Sequence, residues 1–175
     1  MLLDLHFVNI VFRMNRILLL IATYLNIGRI SKAPGTVATA ATIPLWWALS
    51  QTGPLVYMVV VLALIPLGVM AANAYEAQST EHDAKEIVID EVVGFLITMV
   101  WLPLTWQSLV LGFILFRFFD IVKPPPIRQL DQHVKGGFGV MIDDIAAGLV
   151  SSVILQIIYT QTSWLGVQIS TLTTS

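Results

Sequence analysis

A cluster of ionisable side chains set among long apolar runs leaves this chain few folds to adopt. The cluster lies in the window Phe116–Gly148, FRFFDIVKPPPIRQLDQHVKGGFGVMIDDIAAG. It holds Arg117, Asp120, Lys123, Arg128, Asp131, Lys135, Asp143 and Asp144. The chain as a whole is 57% hydrophobic and only 11% charged, which is far too apolar for an ordinary soluble domain. Three consecutive prolines and a Gly-Gly pair break the helical pattern between two apolar segments. Ionisable groups kept beside apolar helices in a membrane protein point to function. Together with a second polar stretch, Asp83–Glu91, the window reads as a phosphate and metal site at a membrane surface.

The apolar runs predict an all-α, polytopic membrane bundle of about four or five helices, some short or re-entrant. Ile17–Leu25 is too short to cross a hydrocarbon core, which needs about 20 residues. It is expected at the interface or inside the bundle. Asn26–Thr36 reads as a polar loop with Thr36 as a candidate N-cap. Val37–Leu49 follows as one apolar segment. Leu55–Tyr75 is the strongest span, about long enough to cross alone. Val92–Leu104, Ser108–Phe119 and Met141–Thr160 are the remaining helical segments, with Asp120–Gly139 as a loop. Neither a repeat nor a linker divides the chain. The apolar N-terminus is interrupted by Asp4 and lacks a small-residue cleavage site, so it is not read as a signal peptide.

Charge sets the topology. The turns at 50–54 and 103–108 and the tail after 160 carry no Lys or Arg. All nine basic residues fall on the other side, which the positive-inside rule makes cytoplasmic. All eleven acidic residues fall there as well. Both polar stretches therefore meet at one face. A net charge of −2 without a basic, aromatic-interleaved patch gives no sign of nucleic-acid binding.

On a helix, Asp83, Glu86 and Asp90 are spaced i, i+3 and i+7 and share one face. For Asp83 and Glu86 a capping box explains the spacing as well. It does not explain Asp90 and Glu91, which abut the apolar run VVGFLITMVW and need a cation or protons once buried. Asp143-Asp144 leads into AAGLVSSVIL, where it either complements a helix N-terminus or forms a second ligand pair. Oxygen-rich clusters of this kind suit Mg²⁺. Gly94 and the run Ala146–Gly148 permit close helix packing, so the two acidic pairs can face each other. Lys123, Arg117 and Arg128 are either phosphate binders or snorkelling cations. Function is favoured for Lys123, and the choice stays open for the two arginines. Gly35 and Thr36 in KAPGT can present backbone N–H groups to a phosphate, and Gly136, Gly137 and Gly139 can do the same. His82 and His133 read as interfacial.

Several chemistries are excluded. The chain has no Cys for a thiolate nucleophile, no D-x-D aspartyl-phosphate motif, no Walker A loop and no histidine pair with flanking arginine. Metal-activated water attacking phosphorus remains.

The motifs APGT (Ala33–Thr36), IVIDEVVG (Ile87–Gly94), FRFFDIVKPPPI (Phe116–Ile127) and GGFGVMIDDIAAG (Gly136–Gly148) resemble, in order, those of the phosphatidylglycerophosphatase A family. The resemblance covers most of the region from Gly28 to Leu149. It implies a Mg²⁺-dependent, multi-pass enzyme of the bacterial inner membrane, with its active face cytoplasmic. Its substrate would be the phospholipid phosphatidylglycerophosphate, dephosphorylated to phosphatidylglycerol. The implied acidic positions are Asp90, Glu91, Asp120, Asp143 and Asp144, with Asp83 a further candidate metal ligand and Lys123 the motif lysine. Ala38-Thr39 departs from the Gly-Ser usual after the family's PGT-x. Residues 26–160 form the family-like domain. Residues 1–25 read as an interfacial or poorly ordered segment and 161–175 as a polar tail. Two other readings stand beside this one. Another metal-dependent phospholipid head-group enzyme would carry D-G-x-x-A-R, which is absent. A non-enzymatic transporter would place its carboxylates near mid-span.

Overall fold

The computed structural model describes residues 13–30, 32–79 and 84–166. These residues form helices and no strand. Helix α1 covers 13–22, followed by α2 (Pro34–Ala41), α3 (Ile43–Ser50), α4 (Pro54–Glu76), α5 (Ile89–Thr98), α6 (Trp106–Val122), α7 (Ile127–His133) and α8 (Gly136–Gln161). The all-helical expectation holds. Among the described residues only α4, with 23 residues, and α8, with 26, are long and apolar enough to cross a membrane.

Four differences from the sequence reading follow from a proline or a glycine. The apolar run 37–49 is two helices that meet at Thr42, because Pro44 lacks the N–H that would continue the ladder. Helix α2 starts at Pro34 with Ala33 as its N-cap, so Thr36 lies within the first turn and caps nothing. Proline is pre-organised for that first position. The loop 120–139 contains α7, which opens directly after Pro126 and is anchored by the fully buried Ile127. Helix α8 begins at Gly136, five residues earlier than expected. Asp143 and Asp144 are thus two turns inside a helix, and an N-terminal dipole does not account for them.

The core sits where α8 lies against α4, α5, α6 and α7. Helix α5 is buried along almost its whole length, from Val92 to Thr98. Two glycines make its closeness to α8 possible. A Cβ on Gly94 would stand 2.8 Å from the Asp144 carbonyl oxygen, and one on Gly148 would strike the Gly94 carbonyl oxygen. Thr98 Oγ1 donates to the Gly94 carbonyl of its own helix at 3.0 Å and lies 3.5 Å from the Gly148 carbonyl across the seam.

The two ends of the bundle differ in chemistry, as charge patterning predicted. At one end, Thr105 Oγ1 donates to the Leu165 carbonyl (2.8 Å), and Gln156 Nε2 to that of Val100 (2.8 Å). Ser50, Gly53, Tyr57, Trp101, Pro103 and Tyr159 are among the residues that line a shared cavity there of about 440 Å³. At the other end, Gly137 N donates to Asn73 Oδ1 (2.7 Å) and Val88 N to the Ala22 carbonyl (2.8 Å).

Candidate active site

Helix α6 stops at Val122 because Pro124 follows, and the residue before a proline is driven out of the helical region. Lys123 takes up the turn in the left-handed conformation, φ 45° and ψ 58°. For a residue with a Cβ this costs about 1–2 kcal/mol. The turn swings Lys123 back over the bundle. Its Nζ donates to Asp131 Oδ1 of α7 at 2.6 Å and to Asp143 Oδ2 of α8. Burial alone would lower the Lys123 pKa, but the two carboxylates more than offset it and hold the ammonium above its usual range.

One turn before the end of α6, Arg117 pairs with Asp120 and stands 3.7 Å from Glu91. Helix α5 supplies Asp90 and Glu91 from its first turn. Helix α8 supplies Asp144 from the face that meets α5. One carboxylate oxygen from each of Asp90, Glu91 and Asp144 lies within 4.8 Å of the others, the spacing of ligands around one ion. A Cβ on Gly35 would collide with Glu91 Oε1, so this glycine lets α2 close over the trio.

These groups line a cavity of about 400 Å³ together with Ala33–Thr36, Ala84, Lys85, Ile121 and Val140. Several buried polar atoms facing it have no hydrogen-bond partner: Asp90 Oδ1, Glu91 Oε2, Asp143 Oδ1, Asp144 Oδ2 and Arg117 Nε. Buried carboxylate oxygens without donors are costly unless a cation meets them. The three-carboxylate group fits a hard divalent cation, which takes oxygen ligands. Gly35 and Thr36 add the opening N–H groups of α2, which have no partner within the helix.

The structure thus brings together Asp90, Glu91, Asp120, Lys123, Asp143, Asp144, Arg117, Gly35 and Thr36. Arg128 is exposed on α7 and does not line the cavity. Asp83 and His82 lie outside the described residues. Glu86 sits in the turn before α5, whose N-cap is Val88, so the proposed helical face through 86 and 90 and the capping box do not form. The Gly137 N–H is taken by Asn73, and a Cβ on Gly139 would meet the Val134 carbonyl. Gly137 therefore serves packing, while Gly139 packs against Val134 and also lines the cavity. His133 is exposed, its Nδ1 2.7 Å from the Gln129 carbonyl.

The family model for phosphatidylglycerophosphatase A matches residues 20–159. The chain belongs to the phosphatidylglycerophosphatase A family. It is 41% identical over 126 residues to the phosphatidylglycerophosphatase A of Escherichia coli (strain K12), covering 71% of this chain and 73% of that protein. It is 38% identical over 138 residues to the phosphatidylglycerophosphatase A of Haemophilus influenzae, covering 78% and 85%. A putative phosphatidylinositol-3-phosphatase of Bacteroides thetaiotaomicron is 37% identical over 138 residues, covering 71% and 82%. No solved structure matches the chain.

Two charged cavity residues of this family member were not singled out as site candidates from sequence, Asp131 and Lys85. Asp131 lies eight positions after Lys123, across a proline run whose path no local pattern encodes. The sequence signal for it was only its place in the charged window. Lys85 was read only as a topology marker.

Proposed function

We propose that this chain is a Mg²⁺-dependent phosphatase of the bacterial inner membrane. It hydrolyses phosphatidylglycerophosphate to phosphatidylglycerol and phosphate at the cytoplasmic face. The observation that carries the reading is the carboxylate trio on two glycine-sutured helices, beside Lys123 and Arg117 in one cavity. The names of the two phosphatidylglycerophosphatase A relatives support the substrate. Two span-length helices and the one-sided distribution of basic residues support the membrane and its sidedness.

Asp90, Glu91 and Asp144 would hold Mg²⁺. Bound there, the ion supplies Lewis acidity to the phosphoryl group and lowers the pKa of water. The chain's own residues do the rest. Lys123 is fixed from two sides and presents positive charge to the terminal phosphate. The α2 N-terminus offers N–H groups to the same oxygens. Arg117 neutralises Asp120 and holds it at the cavity wall. In the overall reaction a water oxygen bonds to phosphorus, the bond from phosphorus to the glycerol oxygen breaks, and that oxygen takes up a proton. The substrate carries its negative charge into a site with many carboxylates, so Lys123 and the cation must together outweigh them.

The test is phosphate release by purified protein in mixed micelles, with Mg²⁺ or EDTA. The substrates are phosphatidylglycerophosphate, phosphatidylinositol 3-phosphate and a water-soluble phosphate ester. Activity on the first that EDTA removes and Mg²⁺ restores is expected. Preference for the inositol lipid would move the chain to the specificity named for the Bacteroides relative. EDTA-resistant turnover would overturn the metal.

A further inference from the structure

All five tryptophans of the chain, Trp46, Trp47, Trp101, Trp106 and Trp164, belong to the uncharged end of the bundle. Trp101 lines the cavity there with Ser50 and Gly53. Trp106 follows Thr105, whose hydroxyl holds the Leu165 carbonyl next to Trp164. Trp46 and Trp47 sit one turn before Ser50 on α3. Trp46 is buried in the core, while Trp47, Trp101, Trp106 and Trp164 are each more than half exposed. No Asp, Glu, Lys or Arg occurs in 33–75, 92–116 or 145–175. This end is therefore not a water-facing surface of the ordinary charged kind. Indoles that combine an apolar ring with one N–H donor partition into the head-group layer of a bilayer.

The axial distances agree. Seventeen residues separate Asp144 from Gln161 on α8, about 26 Å at 1.5 Å per residue. Trp164 lies just beyond Gln161. A hydrocarbon core is about 30 Å thick. If the indoles sit at one boundary, Asp144 falls close to the other. The seven residues from Gly136 to Asp143, about 10 Å of helix, then rise through the opposite head-group layer.

We infer that the uncharged end is an indole girdle seated in the head-group layer of one leaflet. It sets the carboxylate trio at the hydrocarbon boundary of the other leaflet. The inference rests on the membrane reading above and adds the depth of the site. A lipid phosphate then meets Lys123 and the carboxylates without being lifted out of its leaflet.

Because every indole lies at that end, native tryptophan fluorescence reports on it alone. The full chain, with Gln132→Cys as its sole thiol, is reconstituted into vesicles. Labelling with an impermeant maleimide counts the molecules whose α7 faces outward. Some vesicles carry a nitroxide-labelled lipid, with the nitroxide near the head group or at the chain terminus. The head-group-proximal label should quench at least twice as strongly. External iodide should quench only the fraction the maleimide does not label. Stronger quenching by the chain-terminal label, or iodide quenching that follows the maleimide-labelled fraction, would overturn the girdle. Protein that fails to enter vesicles at all would overturn the membrane reading itself, and phosphate release measured separately would still judge the phosphatase.

Discussion

Gly94 is the position where one methyl group should disable the site without replacing any ligand. An added Cβ would stand 2.6 Å from Phe116 Cε2 and 2.8 Å from the Asp144 carbonyl oxygen. Ordinary contact begins at 3.4 Å, so α5 and α8 must part by about 0.6 Å to relieve the second clash. The Phe116 ring is fully buried and cannot swing aside. Overpacking of this kind costs about 1–3 kcal/mol of stability. The larger effect is on the trio, because α5 carries Asp90 and Glu91 while α8 carries Asp144. Mg²⁺ demands near-ideal octahedral geometry, and metal sites tolerate only about ±0.2 Å in ligand distance. The expected result for Gly94→Ala is a folded protein whose Mg²⁺ affinity is about 10–100-fold weaker, the range seen when a ligand's support is lost. Mg²⁺ titration of initial rates in mixed micelles reads this directly. Gly112→Ala is the control, because its new methyl would press on the flexible end of Met99 and lies away from the cavity. A Gly94→Ala enzyme with wild-type Mg²⁺ dependence would refute the argument that the seam positions the ligands.

Asp90→Asn should lower kcat by at least about 10²-fold while leaving the helical circular-dichroism spectrum unchanged, since it removes a ligand charge. Lys123→Ala should cost about as much, whereas Arg29→Ala, whose guanidinium stacks on Tyr75 5.6 Å away, should stay within about twofold. A side-by-side kinetic comparison giving equal effects would return Lys123 to a snorkelling role. Asp131→Asn should raise KM for the lipid more than it lowers kcat, because Asp143 still holds Lys123 charged. An unchanged KM would show that Asp131 does not position the lysine.

Much of this arrangement was legible in the sequence because it rests on charge and period. Apolar runs separated by charged windows define helices and two unlike ends, and the acidic pairs stand out against their apolar neighbours. Gly94 and Gly148 announced close packing, and the structure uses both for the α5–α8 seam. What escaped is non-local or turns on a single residue. The split at Thr42 depends on Pro44 alone. Helix α7 is too short to show a period. The Asp131–Lys123 contact depends on how the chain folds back after three prolines, which hydrophobic patterning does not encode. The start of α5 at Ile89 likewise follows from Val88 being drawn to the Ala22 carbonyl, a contact across more than sixty residues of sequence.

The charge balance of the cavity leads to a prediction about stability. Asp90, Glu91, Asp120, Asp131, Asp143 and Asp144 line it, against Lys85, Arg117 and Lys123. Lys123 serves Asp131 and Asp143, and Arg117 serves Asp120 and, more distantly, Glu91. Asp90 and Asp144 keep oxygens that no donor meets. Without metal, the trio is a cluster of like charges in a poorly solvated place, which opposes folding. With Mg²⁺ at a hundred times its Kd, binding adds about 2.7 kcal/mol to the folded state. The amide in Asp144→Asn carries no charge, so it removes repulsion and a ligand at once. The variant should therefore melt at a higher temperature than the wild type in EDTA, and Mg²⁺ should raise its Tm little. The wild type should gain several degrees from Mg²⁺ and overtake the variant. Thermal melts of both proteins in detergent, with and without Mg²⁺, decide the matter. An Asp144→Asn protein less stable than wild type in EDTA, yet still stabilised by Mg²⁺ as strongly, would mean that Asp144 holds the fold together and does not bind the ion.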